Sequence, residues 1–103
     1  MSEKQLIQGI RNYLATLPKC FFWKEHGGQY GTAGIPDIIV CFKGRFVAFE
    51  AKIGSNKPTK LQSATIEQIQ NAGGNAMVVR SVEDARILIS AIDAELEVQH
   101  AEN

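Results

Sequence analysis

The sequence predicts an α/β fold in which helices flank a mixed central β-sheet. Its hydrophobic patterns follow the order helix, strand, strand, strand, helix, strand, helix. The second and third strands are apolar on both faces, which is typical of a hairpin at the centre of a covered sheet. A helix between this hairpin and the last strand requires a crossover connection, so the sheet should be mixed. With 103 residues and 45% hydrophobic content, we expect one domain over residues 1–103.

The first helix begins at a capping box, in which Ser2 is the N-cap and Gln5 is the third helical residue. It should run to about Thr16, because Pro18 then stops it. Its apolar positions are Leu6, Ile7, Ile10, Leu14 and Leu17. Glu3 lies two helical turns before Ile10 and therefore points along the inward face, as a candidate third acid. Alternatively, Glu3 is a first-turn acid that the helix dipole favours.

Residues 20–24 have the composition of a strand, and residues 25–34, with four glycines, indicate a loop leading to the hairpin. A glycine-rich backbone lets a ligand approach closely. His26, Gln29 and Tyr30 in this loop are therefore candidates for contact with a phosphate or a base, although the loop is equally well explained as a connector. Lys24, directly before the loop, is a further candidate DNA contact.

The hairpin turns at Lys43 and Gly44, between the apolar runs 38–42 and 46–49. Glycine there supplies the positive φ that a tight hairpin turn requires. This turn predicts that Phe42 pairs with Arg45, Val40 with Val47, and Asp37 with Glu50.

Side chains alternate along a strand, so Asp37, Glu50 and Lys52 should share one face of the hairpin. Like charges directly opposed on a sheet are destabilising, and a divalent cation is the obvious reason to keep them. Mg²⁺ binds carboxylate oxygens and retains waters, which suits a phosphate substrate. The alternative is that Asp37 caps a strand while Glu50 and Lys52 are solvated charges of an edge strand.

Pro58 suits the first position of a second helix, which should run to Ala72 and end at Gly73 and Gly74. Its inward positions are Leu61, Thr65, Ile69 and Ala72. Gln62 flanks this stripe and can face the carboxylate end of the hairpin, or it is an ordinary surface glutamine.

Residues 75–80 form an apolar strand, and Ser81 caps a last helix. The buried positions of this helix are Ala85, Leu88, Ile89, Ile92 and Leu96. Residues 97–103 should fray as a polar tail.

Eleven basic and eleven acidic residues cancel, which excludes a polycation that binds nucleic acid by charge alone. The charges are unevenly distributed, however. The stretch from 43 to 60 has one acid, Glu50, and five cations, namely Lys43, Arg45, Lys52, Lys57 and Lys60. Lys57 and Lys60 are therefore candidate phosphate contacts, and a plain solvated face is the alternative.

Two cysteines are too few for a disulfide framework, and Cys41 falls within a strand predicted to be buried. We therefore expect a reducing, cytoplasmic setting. The cysteines and histidines lack the paired spacing of a zinc site. The sequence has no apolar run of membrane-spanning length and no signal-peptide pattern, so we expect no membrane association.

Taken together, two segments resemble a known family. Residues 34–37 (Gly-Ile-Pro-Asp) and 50–52 (Glu-Ala-Lys) are similar to the G-x-P-D and E-x-K motifs of the virus-type replication-repair nuclease (VRR-NUC) domain, a branch of the PD-(D/E)XK nuclease superfamily. Further similarities, over roughly residues 3 to 81, are an additional acid at Glu3, the segment Lys24 to Gly28 before the glycine loop, and a glutamine-bearing helix with Pro58, Thr59 and Gln62.

The resemblance implies a restriction-endonuclease-like core in which Asp37, Glu50 and the carbonyl of Ala51 bind Mg²⁺ or Mn²⁺. It places Lys52 beside the attacking water, with Gln62 as a hydrogen-bonding helper. The expected activity is structure-specific cleavage of branched DNA. Solitary members are phage or bacterial and resemble Holliday-junction resolvases, which implies a homodimer and a bacterial or host cytoplasm.

Two other hypotheses remain open. The chain can be a catalytically silent nucleic-acid-binding module of the same fold, although paired carboxylates would then repel phosphate. It can also be a small interaction protein that uses its acidic last helix, in which case it would bind no divalent metal.

Overall fold

The computed structural model describes residues 1–26 and 33–102, apart from the side chain of Glu102. The order of helices and strands is the predicted one. The elements are α1 (Glu3–Leu14), β1 (Cys20–Lys24), β2 (Ile38–Phe42), β3 (Arg45–Ala51), α2 (Lys60–Asn71), β4 (Asn75–Val79) and α3 (Val82–Glu102).

The four strands form one sheet in the order β1-β2-β3-β4. Strand β2 pairs antiparallel with both β1 and β3, whereas β3 and β4 are parallel. The parallel pair needs a crossover, and α2 provides it. The predicted mixed sheet is therefore confirmed.

The hairpin of β2 and β3 has the predicted register, with Phe42 opposite Arg45 and Val40 opposite Val47. Lys43 and Gly44 form its two-residue turn, with φ of 50° and 83°. Positive φ at both central residues matches the right-handed twist of the two strands, and glycine adopts it without steric cost.

The main core lies between the sheet and the pair α1 and α3. The inward side chains of β2 and β3 meet both helices in one buried cluster, which includes Leu6, Ile10, Val40, Phe42, Phe49 and Ile89. The two helices approach closely at Gly9, where a Cβ atom would lie 2.9 Å from Cγ2 of Val82. On this face the side chains of the two central strands from Ile38 to Phe42 and from Val47 to Ala51 are buried, whereas those of the edge strands, apart from the buried Val79, are only partly buried.

The opposite face is covered only by α2. Ile66 and Ile69 pack over a small buried cluster of Ile39, Ala48 and Ala76. All of α2 is described, and none of its residues is fully buried. The predicted inward stripe is therefore wrong at Leu61, which is 53% exposed, and at Ala72, which is exposed.

Cys41 is also exposed, contrary to the prediction. It lies on the α2 face, beside Phe21 of β1 and Phe46 of β3. Since α2 packs over Ile39, two residues along β2, its cover does not reach Cys41. The position of strand β2 was correctly predicted, but the burial of Cys41 under a helix was not.

The end of α1 and the start of α2 differ from the predictions. Helix α1 ends at Leu14, two residues before the predicted Thr16, which is within the usual uncertainty of helix ends. Helix α2 begins at Lys60, because Thr59 is its N-cap and Pro58 precedes the cap.

The prediction of a frayed tail over residues 97–103 is wrong as far as Glu102, where α3 ends, and Asn103 lies outside the described residues. The hairpin turn holds its last part. Lys43 Nζ lies 2.6 Å from Asp93 Oδ1, and Arg45 Nη2 donates to Gln99 Oε1 at 2.9 Å. In the described parts of the chain we find no helix with the length and hydropathy needed to cross a bilayer.

Candidate metal centre

The register of the hairpin brings two carboxylates together at its open end. Ile38 pairs with Phe49, so one further residue along each strand places Asp37 opposite Glu50. The backbone N–H of Ala51 donates to Asp37 Oδ2 at 2.8 Å. The N–H of Glu25 donates to the Asp37 carbonyl at 2.8 Å. Asp37 is thus held from both neighbouring strands.

Glu50 is buried although it is ionisable. The residue is only 2% exposed, and its Oε2 has no hydrogen-bond partner among the residues that the structure describes. Burial, and then the negative charge of Asp37, raise the pKa of Glu50 to about 7, whereas the Lys52 ammonium opposes this rise. A buried carboxylate oxygen without a partner costs about 1–3 kcal/mol or more, so the site needs a further group to satisfy it.

A hard divalent cation fits this donor set. Asp37 and Glu50 offer carboxylate oxygens side by side, and one of these oxygens is buried and finds no partner in the part of the chain that the structure describes. Within residues 1–26 and 33–102, no group of three or more His, Cys, Asp or Glu side chains could hold a metal. The remaining ligands of a cation would therefore be backbone oxygen, water or phosphate, as Mg²⁺ commonly accepts.

Lys52 lies next to this pair. Its Nζ is 3.8 Å from Glu50 Oε1, and its side chain is mostly buried. The N–H of Lys52 donates to the Val79 carbonyl at 3.0 Å, so the end of β4 positions it. A lysine close to a carboxylate pair supplies a positive charge and three hydrogen-bond donors on a flexible side chain.

Glu3 is not brought to the pair. Helix α1 packs on the opposite face of the sheet from Glu50, with Leu6 and Ile10 in the main core. Glu3 joins no three-residue metal-binding group in the described part of the chain. The structure agrees with the alternative, in which Glu3 lies in the first turn of α1, where the helix dipole favours an acid.

Gln62 has a structural role at the start of α2. Its Oε1 accepts from the Thr59 N–H at 2.8 Å, and the Gln62 N–H donates to Thr59 Oγ1 at 3.1 Å. This is a capping box, and the pattern Thr-x-x-Gln could have revealed it in the sequence. The side-chain NH₂ of Gln62 remains the group that can contact a ligand.

The candidate DNA contacts are dispersed around the site. His26, Lys57 and Lys60 are exposed, whereas Gln29 and Tyr30 lie outside the described residues. Lys24 is half-buried and lines a cleft of about 380 Å³ together with Lys4 and Arg11 of α1. This basic cleft lies on the α1 side of the sheet, away from the face that carries Glu50.

Arg80 orders the segment between Lys52 and α2, a role that we did not predict from the sequence. Its Nη1 donates to the carbonyls of Gly54 at 2.7 Å and of Asn56 at 2.8 Å. Both carbonyls belong to the loop that follows Lys52. An exposed arginine after a strand gives no sequence signal for such contacts, because its partners are 24 and 26 residues away.

Gly34 also has a role that the sequence motif alone does not explain. Its φ is +84°, and a Cβ atom would lie 2.8 Å from both Leu61 Cγ and Thr65 Oγ1. The backbone before Asp37 therefore contacts α2 at a distance that only glycine allows.

Comparisons with known proteins support the fold. No family model matches this chain, and no curated protein matches it either. A solved structure described as "VRR_NUC domain" is similar to it, with a TM-score of 0.71, 24% identity, and coverage of 85% of this chain and 94% of that one. The resemblance in the sequence is thus confirmed at the level of the fold, together with the predicted order of elements.

Proposed function

We propose that the protein is a divalent-metal-dependent DNA endonuclease that hydrolyses phosphodiester bonds. The observation that carries this proposal is Oε2 of Glu50, which is buried beside Asp37 and has no hydrogen-bond partner within residues 1–26 and 33–102. The similarity to a solved structure described as "VRR_NUC domain" supports it at the level of a nuclease fold. Two acids opposed on a sheet do not stabilise the fold, whereas binding a catalytic cation explains why both are present.

In this proposal, Asp37 and Glu50 hold Mg²⁺ or Mn²⁺ together with the carbonyl of Ala51. When bound, such a cation supplies charge that polarises the phosphodiester and lowers the pKa of a water. Lys52 orients the attacking water and donates to the phosphoryl oxygens, where negative charge accumulates during hydrolysis. The capping box leaves the NH₂ of Gln62 as the group that would assist it.

Deprotonation of Glu50 is a condition for this chemistry. Without a cation its pKa is about 7, so near neutral pH a fraction of the molecules carries a protonated Glu50. A bound cation favours the charged form and displaces this proton. Metal binding should therefore release a proton and strengthen as the pH rises through 7.

Branched DNA, such as a four-way junction, is the proposed substrate, and a homodimer is the proposed assembly. Both follow from kinship with short VRR-NUC members. A two-fold dimer would place two sites on symmetry-related strands and double the phosphate contacts of a chain with a formal net charge of +0. Lys57, Lys60 and His26 are the proposed phosphate contacts, since they are exposed.

Cleavage of labelled four-way junction, flap, fork and duplex DNA with Mg²⁺ or Mn²⁺ tests the proposal. We expect wild-type cleavage and a loss of at least about 10²-fold for Asp37→Asn, which can keep a hydrogen-bond acceptor for Ala51. Glu97→Gln, at an exposed position of α3, is the matched control. Asp37→Asn with full activity would exclude this chemistry, and binding without any cleavage would support the silent module.

A further inference from the structure

Strand β1 presents two exposed aromatic side chains next to the candidate metal centre. Phe21 is 69% exposed and Trp23 is 46% exposed, and their ring centroids are 6.1 Å apart. Phe21 pairs with Cys41, and Trp23 pairs with Ile39. Asp37 directly precedes β2 and lies two residues before Ile39, so the aromatic rings project from the same face as the carboxylates.

Helix α2 does not cover these rings. It packs over Ile39 and Ala48, towards the β3 and β4 side, whereas β1 is the outermost strand on the other side. We call Phe21 and Trp23 the aromatic shelf. Isolated exposed apolar residues are ordinary, but two adjacent rings on one open face form a continuous surface.

The aromatic shelf is tied to the metal centre through Glu25. Trp23 Nε1 donates to Glu25 Oε2 at 2.9 Å, and the Glu25 N–H donates to the Asp37 carbonyl at 2.8 Å. The indole is therefore held by its only polar atom, and its ring faces need no further polar partner. Such a fixed ring binds a flat partner with little loss of conformational entropy.

We infer that the aromatic shelf stacks on unpaired bases of the DNA strand that is cut at Asp37 and Glu50. This inference rests on the proposed nuclease function and specifies its substrate. Along the sheet, Trp23 is displaced from Asp37 by two residues and one strand, or roughly 7 Å by 5 Å. A strand whose phosphate lies at the carboxylates would therefore place a neighbouring base over the rings.

Unpaired bases are the appropriate partners because base pairing and stacking hide the faces of bases in a duplex. Single-stranded nucleic acid, in contrast, is commonly bound by stacking its bases on aromatic side chains of a sheet. Among branched DNA substrates, the aromatic shelf therefore favours those with a single-stranded segment next to the cut, such as a flap or a fork, over a four-way junction, whose arms are fully paired. A fully paired duplex would leave the aromatic shelf unused.

A second copy of this chain is a weaker candidate for the same surface. Phe46 of β3, which is 45% exposed, lies on the same face, but even three aromatic side chains bury only about 450–750 Å² when fully covered. A stable protein interface needs about 800 Å² from each partner. A base, in contrast, matches the size of one or two rings.

Trp23 permits a direct test, because it is the only tryptophan of the chain. Oligothymidylate and a blunt hairpin duplex are titrated into the wild-type protein in EDTA, so that no cleavage occurs, and tryptophan fluorescence is followed. We expect oligothymidylate, but not the duplex, to quench Trp23. Phe21→Ala should weaken this binding by about 5- to 150-fold, and Phe21→Tyr should restore it.

Ile87→Ala is the matched control, since Ile87 is 60% exposed on α3 and should leave the binding unchanged. Cleavage of a flap and of the corresponding duplex, which share the same scissile phosphate, is then compared with Mg²⁺. We expect Phe21→Ala to reduce flap cleavage selectively. Quenching without any cleavage would support the aromatic shelf and overturn the nuclease proposal.

Two results would overturn the inference about the aromatic shelf. One is metal-dependent cleavage with an unchanged flap preference in Phe21→Ala and no quenching by oligothymidylate, which would leave the nuclease proposal intact. The other is a Trp23 fluorescence that changes with protein concentration alone, together with Phe21→Ala that abolishes self-association but not DNA binding. That result would assign the surface to a second copy.

Discussion

The two ends of the β2–β3 hairpin treat charge in opposite ways. At the turn end, Lys43 Nζ lies 2.6 Å from Asp93 and Arg45 Nη1 lies 3.6 Å from Glu95, and all four side chains retain contact with solvent. At the open end, Asp37 and Glu50 oppose each other, and one oxygen of Glu50 is buried without a partner in the described structure. At the turn end each charge is paired with an opposite charge of the protein. At the open end a carboxylate oxygen lacks a partner among the described residues, and a bound cation can provide one.

The largest difference between the two ends should appear in activity. Glu50→Gln should abolish cleavage, with a loss of at least about 10²-fold, while DNA binding stays equal or becomes stronger because a negative charge beside phosphate is removed. Asp93→Asn, the same kind of change at the turn end, should leave cleavage unchanged. Rates and binding isotherms of both variants measure this. If Glu50→Gln lost DNA binding as well, the role of Glu50 would be structural.

The second difference concerns stability and pH without metal. Burial, and then the charge of Asp37, raise the pKa of Glu50 from 4.5 to about 7 in the folded state, so between these values the unfolded state binds fewer protons and stability falls as the pH rises. Glu50→Gln, which resembles the protonated form, should therefore exceed wild type at pH 8 by an amount on the order of 3 kcal/mol. The excess should shrink towards pH 4.5, as denaturant unfolding in EDTA can show.

Added Mg²⁺ or Mn²⁺ should offset most of this difference in stability for the wild-type protein. At 100 times the Kd, a ligand that binds only the folded state contributes about 2.7 kcal/mol. We expect thermal unfolding of the wild type at pH 8 to shift upwards with metal, and that of Glu50→Gln to respond much less. Equal shifts in both proteins would place the cation away from Glu50.

Two glycines give a smaller contrast between the ends. Gly34 and Gly44 both have positive φ, at +84° and +83°, but only Gly34 lacks room for a Cβ atom. Gly34→Ala should cost about 2–4 kcal/mol, from backbone strain and from contact with Leu61 and Thr65. Gly44→Ala should cost about 1–2 kcal/mol from strain alone. If denaturant unfolding gave equal losses of stability for Gly34→Ala and Gly44→Ala, α2 would be able to move away from the added methyl group at no cost in free energy.

The smallest effect belongs to the ion pair of the turn end. Lys43 and Asp93 are partly exposed, so a double-mutant cycle should give a coupling energy below about 1 kcal/mol that decreases with salt. A coupling of several kcal/mol would show that the turn end is more strongly organised than its exposure indicates.

Local chemistry explains which features the sequence could predict. The register of the hairpin follows from a two-residue turn at Lys43 and Gly44 and from alternation along two strands, so the pairing of Asp37 with Glu50 needed no distant information. The capping boxes of α1 and α2 are equally local. We predicted the first correctly and missed the second, because Pro58 was interpreted as the first helical residue.

Features that depend on distant packing could not be predicted. The exposure of Cys41 depends on how far α2 extends over the sheet, and its hydrophobic neighbours in sequence give no information about this. The order of α3 beyond Leu96 depends on Arg45, which is more than 50 residues away. Likewise, the helical spacing of Glu3 relative to Ile10 does not reveal which face of the sheet α1 covers.

The hydrogen bond from Lys52 to the Val79 carbonyl means that the candidate site is complete only after β4 has paired with β3. Parallel pairing joins segments that are distant in the chain and is slow for that reason. A chain emerging from the ribosome carries both acids long before it contains the residue that aligns the lysine. Under the proposed function, the protein therefore becomes able to cut DNA only when the parallel strands β3 and β4 have paired.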